Sequence, residues 1–199
     1  MNKKGTFICI EGLDGSGKTT QAKLLAKKLG KSHSAIYTAE PSRGKIGAFI
    51  RERCLYGEKR LSSVIEALLF AADRIEHVET EVLPALHQGK LVISDRYLYS
   101  SIAYQGAAGL SIEWIEKINE HALRPDLAVF IDVAPKTAIH RLKPNKSLME
   151  NMETQQKVRK IYLQFVEKGL LTRINGNQPK TDVAKELCAV VIKFLNASR

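Results

Sequence analysis

Residues 12–19 read Gly-Leu-Asp-Gly-Ser-Gly-Lys-Thr, and this stretch decides the fold. It fits the pattern GxxxxGK[ST] at every fixed position. A β-rich apolar run at 6–10 precedes it, and a segment with one apolar helical stripe, 18–29, follows. Glycines let the backbone form a nest of N–H donors around phosphate oxygens, and the following helix directs its positive end at the same anion. The stretch therefore predicts a phosphate-binding loop (P-loop) for ATP or GTP.

The individual positions of this loop have separate expected tasks. Lys18 is expected to bridge the β- and γ-phosphates, and the Thr19 hydroxyl to bind Mg²⁺. The nucleotide-binding residues that the motif predicts are Gly12, Leu13, Asp14, Gly15, Ser16, Gly17, Lys18, Thr19 and Thr20.

Outside the loop, short apolar runs alternate with helical stretches. Further strands are predicted at 35–38, 91–94, 127–131 and 171–174, and helices at 47–55, 62–83, 112–122, 135–142, 149–170 and 181–195. Such alternation is typical of a parallel sheet with helices on both faces. No linker or repeat divides the chain. We expect one domain over 1–199, of the three-layer α/β/α P-loop class with a five-stranded parallel sheet.

The composition is that of a globular domain with a basic excess. The chain has 199 residues, 44% of them hydrophobic, and 31 Lys+Arg against 21 Asp+Glu, a net charge of +10. Disordered, collagen-like and coiled-coil proteins are therefore excluded. Of the charged residues, 13 basic and 5 acidic ones lie in 1–60, so the excess is localised. It is compatible with nucleic acid, an anionic membrane or small phosphorylated ligands.

The cysteines and the apolar runs indicate a cellular location. The three cysteines Cys9, Cys54 and Cys188 are widely spaced and outside any metal-ligand pattern, which is typical of a reducing compartment. The apolar run 7–10 is too short for a signal peptide, and no run approaches the ~18 residues of a membrane span. We expect a soluble cytoplasmic protein without membrane contact.

Carboxylates follow two of the predicted strands. Asp95 ends the third strand beside the P-loop, where a Mg²⁺ would lie, and is a candidate Walker-B residue. Asp132 ends the fourth strand and has two possible roles, in metal binding or, as we favour, as the N-cap of the next helix. GTPases need an Asn-Lys-x-Asp element, and Asn145-Lys146 is followed by Ser147 and Leu148. A small phosphoryl-transfer enzyme is the simplest interpretation.

Several ordered motifs carry a family resemblance over nearly the whole chain. They are 11–21 (EGLDGSGKTTQ), 40–41 (EP), 68–74 (LLFAADR), 95–97 (DRY), 100–106 (SSIAYQG) and 124–127 (RPDL). The set resembles thymidylate kinases. The resemblance implies transfer of the ATP γ-phosphoryl group to thymidine monophosphate (dTMP) with Mg²⁺ in dTTP biosynthesis. It also implies a P-loop fold that forms homodimers through helices.

The resemblance also implies roles for particular residues. Phe70 would stack on the pyrimidine while Arg74, at i+4 on the same helical face, donates to its carbonyl. Arg96 would clamp the acceptor phosphate, a bidentate task that suits arginine. Asp14 would accept from the sugar 3′-hydroxyl, and Tyr104 would lie beside the sugar. The implied acceptor site comprises Asp14, Glu40, Arg43, Phe70, Arg74, Arg96, Ser100, Tyr104 and Gln105.

The chain departs from the family pattern in two places. Ala39 stands where many members have arginine, and either Arg43 or Arg51 would supply the missing cation. Gly15 stands where some members carry a catalytic arginine. A lid at about 141–152 would then supply the transition-state cation, from Arg141 together with Lys143 or Lys146. The expected catalytic residues are Lys18, Arg96, Arg141 and Asp14, with Thr19 and Asp95 for the metal.

Two other functions compete with this interpretation. A deoxynucleoside kinase has a neutral acceptor and needs a carboxylate base, for which Glu40 is available. Arg43, Arg74 and Arg96 are more cations than such an acceptor requires. A non-catalytic P-loop regulator or nucleic-acid binder could use the basic surface, but RNA-binding motifs are missing and aromatic residues make up only 7% of the chain. We expect no nucleic-acid partner.

Overall fold

The computed structural model describes residues 5–55, 61–142 and 151–197. Its strands are β1 (Thr6–Gly12), β2 (Ile36–Ala39), β3 (Leu91–Asp95), β4 (Leu127–Asp132) and β5 (Thr172–Asn175). They form one parallel sheet in the order β2-β3-β1-β4-β5, with helices on both sides. The central strands are almost entirely buried, which explains their continuous apolar sequence. The predicted α/β fold is confirmed.

Nine α-helices lie between and after the strands in the described residues. They are α1 (Lys18–His33), α2 (Lys45–Ile50), α3 (Ser63–His77), α4 (Leu83–His87), α5 (Leu98–Ala107), α6 (Ile112–Ile118), α7 (Pro135–His140), α8 (Met152–Glu167) and α9 (Lys180–Ala197). A π-helical turn, Arg51–Leu55, continues α2, and another, Val78–Val82, joins α3 to α4. Among these described residues, no helix is both long enough and apolar enough to span a bilayer.

Helix α5 is absent from the helices predicted above. Its residues 98–105 are all buried, and apolar and small polar side chains occur all around the helix. A helix without an exposed polar face lacks the 3.6-residue alternation on which the sequence prediction depends. This helix carries three of the predicted acceptor-site residues, Ser100, Tyr104 and Gln105.

The strand register brings the predicted phosphate-binding residues to one edge of the sheet. Ile10 of β1 pairs with Asp95 of β3, and Gly12 pairs with Ile131 of β4. The P-loop, which follows β1, therefore lies between the carboxyl ends of β3 and β4. In open parallel sheets this edge is where ligands bind.

Asp132 does not have the N-cap role that we favoured. The residue before α7 is Ala134, and no side chain caps that helix. The buried Asp132 carboxylate instead accepts from Arg159 Nε at 2.7 Å and from Arg173 Nε at 2.8 Å. Two charge-assisted contacts outcompete a cap because the carboxylate is nearly removed from water.

Candidate active site

The P-loop backbone adopts the conformations that its glycines predict. Gly15 and Gly17 have φ of 83° and 90°, in the left-handed region that favours glycine. Lys18 is the first residue of α1, and its buried ammonium donates to the Leu13 carbonyl at 2.9 Å. Lys18 is thus held over the loop before any nucleotide binds.

The absence of a side chain at position 15 has a steric reason. A Cβ on Gly15 would lie 2.1 Å from the backbone carbonyl oxygen of Ala138 in α7. Backbone cannot move aside as the end of a flexible side chain can. An arginine at this position of the P-loop is therefore excluded by the packing of α7.

Arg96 has a strained backbone directly after β3. Its φ is 69°, which is uncommon for a residue with a side chain. The Arg96 N–H donates to the Ile10 carbonyl at 3.0 Å, and its own carbonyl accepts from the Ser94 hydroxyl at 2.7 Å. These contacts hold the conformation in which Arg96 reaches the P-loop.

The Arg96 side chain forms the centre of a cluster with three predicted site residues. Its guanidinium donates to Asp14 in a short hydrogen bond and to Ser100 Oγ at 3.0 Å. The Tyr104 hydroxyl donates to Asp14 at 2.9 Å, and the Arg96 guanidinium lies 4.9 Å from the Tyr104 ring centroid. Lys18 Nζ is 3.7 Å from the same Asp14 carboxylate. The structure thus brings all four of these residues together with Lys18.

The charges in this cluster change one another's pKa. Burial alone would raise the pKa of Asp14, but Arg96 and Lys18 outweigh it and hold that pKa below its ordinary value. Burial and the neighbouring Arg96 lower the pKa of Lys18 to about 8, although Asp14 and Asp95 oppose this. Asp14 therefore stays ionised, whereas Lys18 loses its proton near pH 8, well below the usual range of a lysine.

This position of Lys18 predicts a pH dependence of ATP use. The charged ammonium of Lys18 binds phosphate. In the free protein this positive charge is lost as the pH rises through about 8. We expect kcat/KM for ATP to fall above that pH, while kcat falls only at higher pH because bound phosphates favour the charged form. Initial rates from pH 6 to 10 at constant ionic strength would measure both. A kcat/KM that stays level to pH 10 would contradict the prediction.

Thr19 and Asp95, the predicted metal residues, are adjacent. The Thr19 hydroxyl donates to Asp95 Oδ2 at 2.5 Å, and the Tyr37 hydroxyl lies 3.4 Å from the same oxygen. Asp95 Oδ1 is buried and has no hydrogen-bond partner among the described residues. A hydroxyl and a carboxylate oxygen with unused acceptor capacity fit a magnesium ion and its water ligands.

The residues predicted to contact the base lie on α3 and α5. Phe70 is half-buried on α3, one helical turn before Arg74. Arg74 is buried, and its Nη2 donates to Glu40 Oε2 at 2.7 Å. Glu40 is therefore a partner of the arginine. Gln105 on α5 is buried, and its Oε1 has no hydrogen-bond partner within the described ranges.

The arginines proposed for the phosphates differ in their surroundings. Arg51 Nη1 donates to the carbonyls of Pro41 and Ser42, at 2.8 and 2.6 Å, and so holds the loop after β2. Arg43, on that loop, is exposed and close enough to Tyr37 to oppose the rise in its pKa. Of the two candidates, Arg43 is therefore the one with a solvent-exposed side chain.

The lid residues are only partly within the described structure. Arg141 Nη1 donates to the Gly176 carbonyl at 3.3 Å, in the loop after β5. Lys143 and Lys146 lie outside the described residues.

Sequence reasoning missed two polar groups beside the site. Glu11, fully buried in β1, accepts from Ser100 Oγ at 2.5 Å and from the Tyr162 hydroxyl at 3.0 Å. Burial raises the pKa of Glu11, although these hydrogen bonds and Arg96 oppose the rise. His77, buried on α3, lies 3.2 Å from Glu40. Neither belongs to a spacing pattern, although Glu11 begins one of the motifs that carried the resemblance.

Comparison with known proteins agrees with this geometry. A family model described as thymidylate kinase matches residues 10–187. A probable thymidylate kinase of Pyrococcus abyssi is 46% identical over 94% of this chain and 96% of its own. Those of Pyrococcus horikoshii and Pyrobaculum calidifontis are 44% and 42% identical, over 94% and 97% of this chain and 96% and 99% of theirs. The resemblance inferred from the motifs is confirmed, and the chain belongs to the thymidylate kinase family.

Proposed function

We propose that this protein transfers the γ-phosphoryl group of ATP to dTMP, giving dTDP and ADP. The observation that carries this function is the family match over most of the chain, together with the cluster in which Lys18 and Arg96 converge on Asp14. One cation comes from the donor loop and the other follows the strand beside it. Two neighbouring cations on separate elements suit a reaction between two polyanionic substrates, because each cation can bind the phosphates of one substrate.

The residues act mainly by positioning. The acceptor is already an anion, so no strong base is required, and the main task is to align two polyanions. Lys18 binds the donor phosphates, and Arg96 binds the acceptor phosphate. Asp14 contacts both Lys18 and Arg96 and so fixes their positions. Its carboxylate also accepts a hydrogen bond from the sugar 3′-hydroxyl. Arg141, and a lid at about 141–152, complete the proposed catalytic set within a single domain.

Magnesium is the proposed cofactor. Thr19 and Asp95 would hold it, directly or through water. When bound, it neutralises charge on the donor phosphates.

The rival function, a deoxynucleoside kinase, requires Glu40 as its base. Glu40 is buried, and its two oxygens face Arg74 and His77 at 2.7 and 3.2 Å. The Glu40 side chain is only 3% exposed, and both of its oxygens already have protein partners. The structure therefore does not favour this function.

A panel of acceptors tests the proposal. ADP release is measured with ATP and Mg²⁺ against thymidine, dTMP, dUMP and dCMP. We expect turnover of dTMP and none of thymidine. Turnover of thymidine without dTMP would establish the nucleoside kinase, and turnover of no acceptor would favour a non-catalytic P-loop regulator.

We further propose that the protein is a homodimer through α2 and α3. Four large apolar side chains are exposed on these two helices: Phe49, Val64, Ile65 and Leu68. Val64, Ile65 and Leu68 lie on α3, where they are exposed while Arg74 on the same helix is buried. Exposed large apolar side chains grouped on two packed helices are typical of an isologous interface between two copies.

Leu68→Glu is expected to dissociate the dimer, because it would place two carboxylates in the apolar interface. Sedimentation velocity at micromolar concentration measures the change. Leu170→Glu is the matched control, since Leu68 and Leu170 are both 47% exposed and Leu170 lies beyond α8. A Leu68→Glu protein that sediments like the wild type would contradict this interface.

We also propose a cytoplasmic location. Cys9 and Cys188 are buried thiols that form no disulfide, which is typical of a reducing compartment. ATP and dTMP are the proposed ligands of the basic cleft, and no nucleic-acid partner is needed to explain its charge.

A further inference from the structure

Arg74 is enclosed by acceptors from three other parts of the chain. Its side chain is 1% exposed, and a guanidinium has five N–H donors to satisfy. Nη2 donates to Glu40 at 2.7 Å and to Ser101 Oγ at 2.9 Å, while Nη1 donates to Asn119 Oδ1 at 2.5 Å. The ring of Tyr97 lies against the guanidinium, 5.2 Å from its central carbon. The end of the arginine is therefore fixed on several sides.

One nitrogen of Arg74 has no hydrogen-bond partner among the described residues. This nitrogen is Nε, which is buried. An unpaired N–H of a buried cation is costly, because it has lost its water and gained no acceptor. A ligand with an acceptor atom at this point would remove that cost.

Asn119 has its own orientation fixed by α6. It follows the last residue of that helix, is 2% exposed, and its Nδ2 donates to the Ile115 carbonyl at 2.8 Å. The amide cannot reverse without turning its NH₂ group toward a cation and its oxygen toward a carbonyl. Asn119 therefore presents an acceptor, and only an acceptor, to Arg74.

Asn119 and Glu40 act on Arg74 in different ways. Glu40 balances the charge of the guanidinium, whereas the neutral amide of Asn119 fixes its direction without adding a second negative charge. Removing the amide would leave Nη1 unpaired and let the guanidinium tilt toward Glu40. The direction of Nε would change with it.

We propose that Asn119 is a positioning residue that makes the acceptor site selective for pyrimidines with a keto oxygen, rather than an amino group, facing Arg74. This inference rests on the proposed function and on the contact between Arg74 and the base carbonyl that the family resemblance implies. A keto oxygen accepts a hydrogen bond from Arg74. The amino group of cytosine is itself a donor, so it would face the N–H groups of Arg74 without forming a hydrogen bond. Discrimination against cytosine therefore requires that the orientation of the Arg74 guanidinium is fixed.

Asn119→Leu tests the proposal, because leucine keeps the volume and removes the acceptor. We expect KM for dTMP to rise about tenfold or more, as for the loss of a hydrogen bond to a charged group. KM for ATP should stay within about twofold. The ratio of kcat/KM for dTMP to that for dCMP should fall by a similar factor, and calorimetric titration with each nucleotide measures the same change without turnover.

Two further variants separate positioning from stability. Asn119→Asp keeps an oxygen facing Arg74 but loses the donor to Ile115, so it should lower the melting temperature and still keep the dTMP-to-dCMP ratio within about threefold of wild type. Ser111→Ala removes the N-cap hydroxyl of α6, which accepts from the Trp114 N–H at 3.2 Å, and touches no part of the site. It should lower stability and leave the ratio unchanged.

The outcomes distinguish this inference from the function on which it rests. If the wild type does not phosphorylate dTMP, the proposed function fails, and the inference fails with it. If the wild type is active and Asn119→Leu retains its selectivity, only the positioning role is overturned. A ratio that follows melting temperature across all three variants would also overturn it. If Asn119→Leu does not fold, Asn119→Ala, which also removes the acceptor of Arg74 Nη1, decides: a lost ratio supports the role, and a retained ratio rejects it.

Discussion

Lys18→Met is expected to lower kcat by about 10²- to 10³-fold, the usual loss when one preorganised charge donor to a transition state is removed. The ammonium of Lys18 is already held over the P-loop by the Leu13 carbonyl. Its side chain therefore does not have to reorganise during the reaction. Methionine fills a similar volume without a buried charge. The variant should therefore fold, and steady-state kinetics with a melting curve would measure both effects.

Lys27→Met is the control for this prediction. Lys27 lies on the same helix, α1, but is exposed, so its loss removes a positive charge without touching the P-loop. Its kcat should stay within about twofold of wild type. Equal losses in the two variants would mean that overall charge, and not the position of Lys18, determines the rate.

Arg96→Ala is expected to raise KM for dTMP by about a hundredfold and KM for ATP far less. A guanidinium bound to phosphate contributes about 1.5–3 kcal/mol per charged hydrogen bond, and each 1.4 kcal/mol is a factor of ten. Arg96 also holds Asp14 and lies on Tyr104, so its loss disturbs the sugar side of the acceptor site as well. Initial rates with each substrate varied at saturating levels of the other measure the two constants.

Arg124→Ala serves as the matched control, since Arg124 is an exposed arginine on the loop before β4. It should change neither KM appreciably. If Arg96→Ala raised both KM values equally, Arg96 would not be an acceptor-site residue.

The parts of the fold that could be predicted are those where the chain has a local pattern. The P-loop was predictable because its glycine conformations and the lysine at the helix start depend on neighbours within eight residues. Helix α5 was not, because complete burial removes the alternation that marks a surface helix. The role of Asp132 was mistaken for a similar reason. Its partners Arg159 and Arg173 are 27 and 41 residues away, and no local signal points to them.

The candidate site shows the same division. Arg74 and Phe70 were recognisable because they share a helical face and a family motif. Asn119, which orients Arg74, is 45 residues from it in sequence and, directly after α6, belongs to no motif or spacing pattern. The hydrogen bonds of Arg51 to the Pro41 and Ser42 carbonyls were not apparent from the sequence either, and the choice between Arg43 and Arg51 as the phosphate cation stays a prediction. Long-range polar partners are determined by packing, and one sequence does not encode them as a pattern.

The contact between Gly15 and Ala138 restricts how this enzyme can evolve. A mutation that introduced an arginine at position 15 would first have to displace the α7 backbone, so the substitution alone would damage the P-loop before it could offer a catalytic cation. Only a coordinated change in both segments would be tolerated, a form of epistasis between the donor loop and the helix that covers it. Family members with and without the P-loop arginine should therefore differ at α7 as well, and transplanting the arginine alone into this chain is a poor route to a faster enzyme.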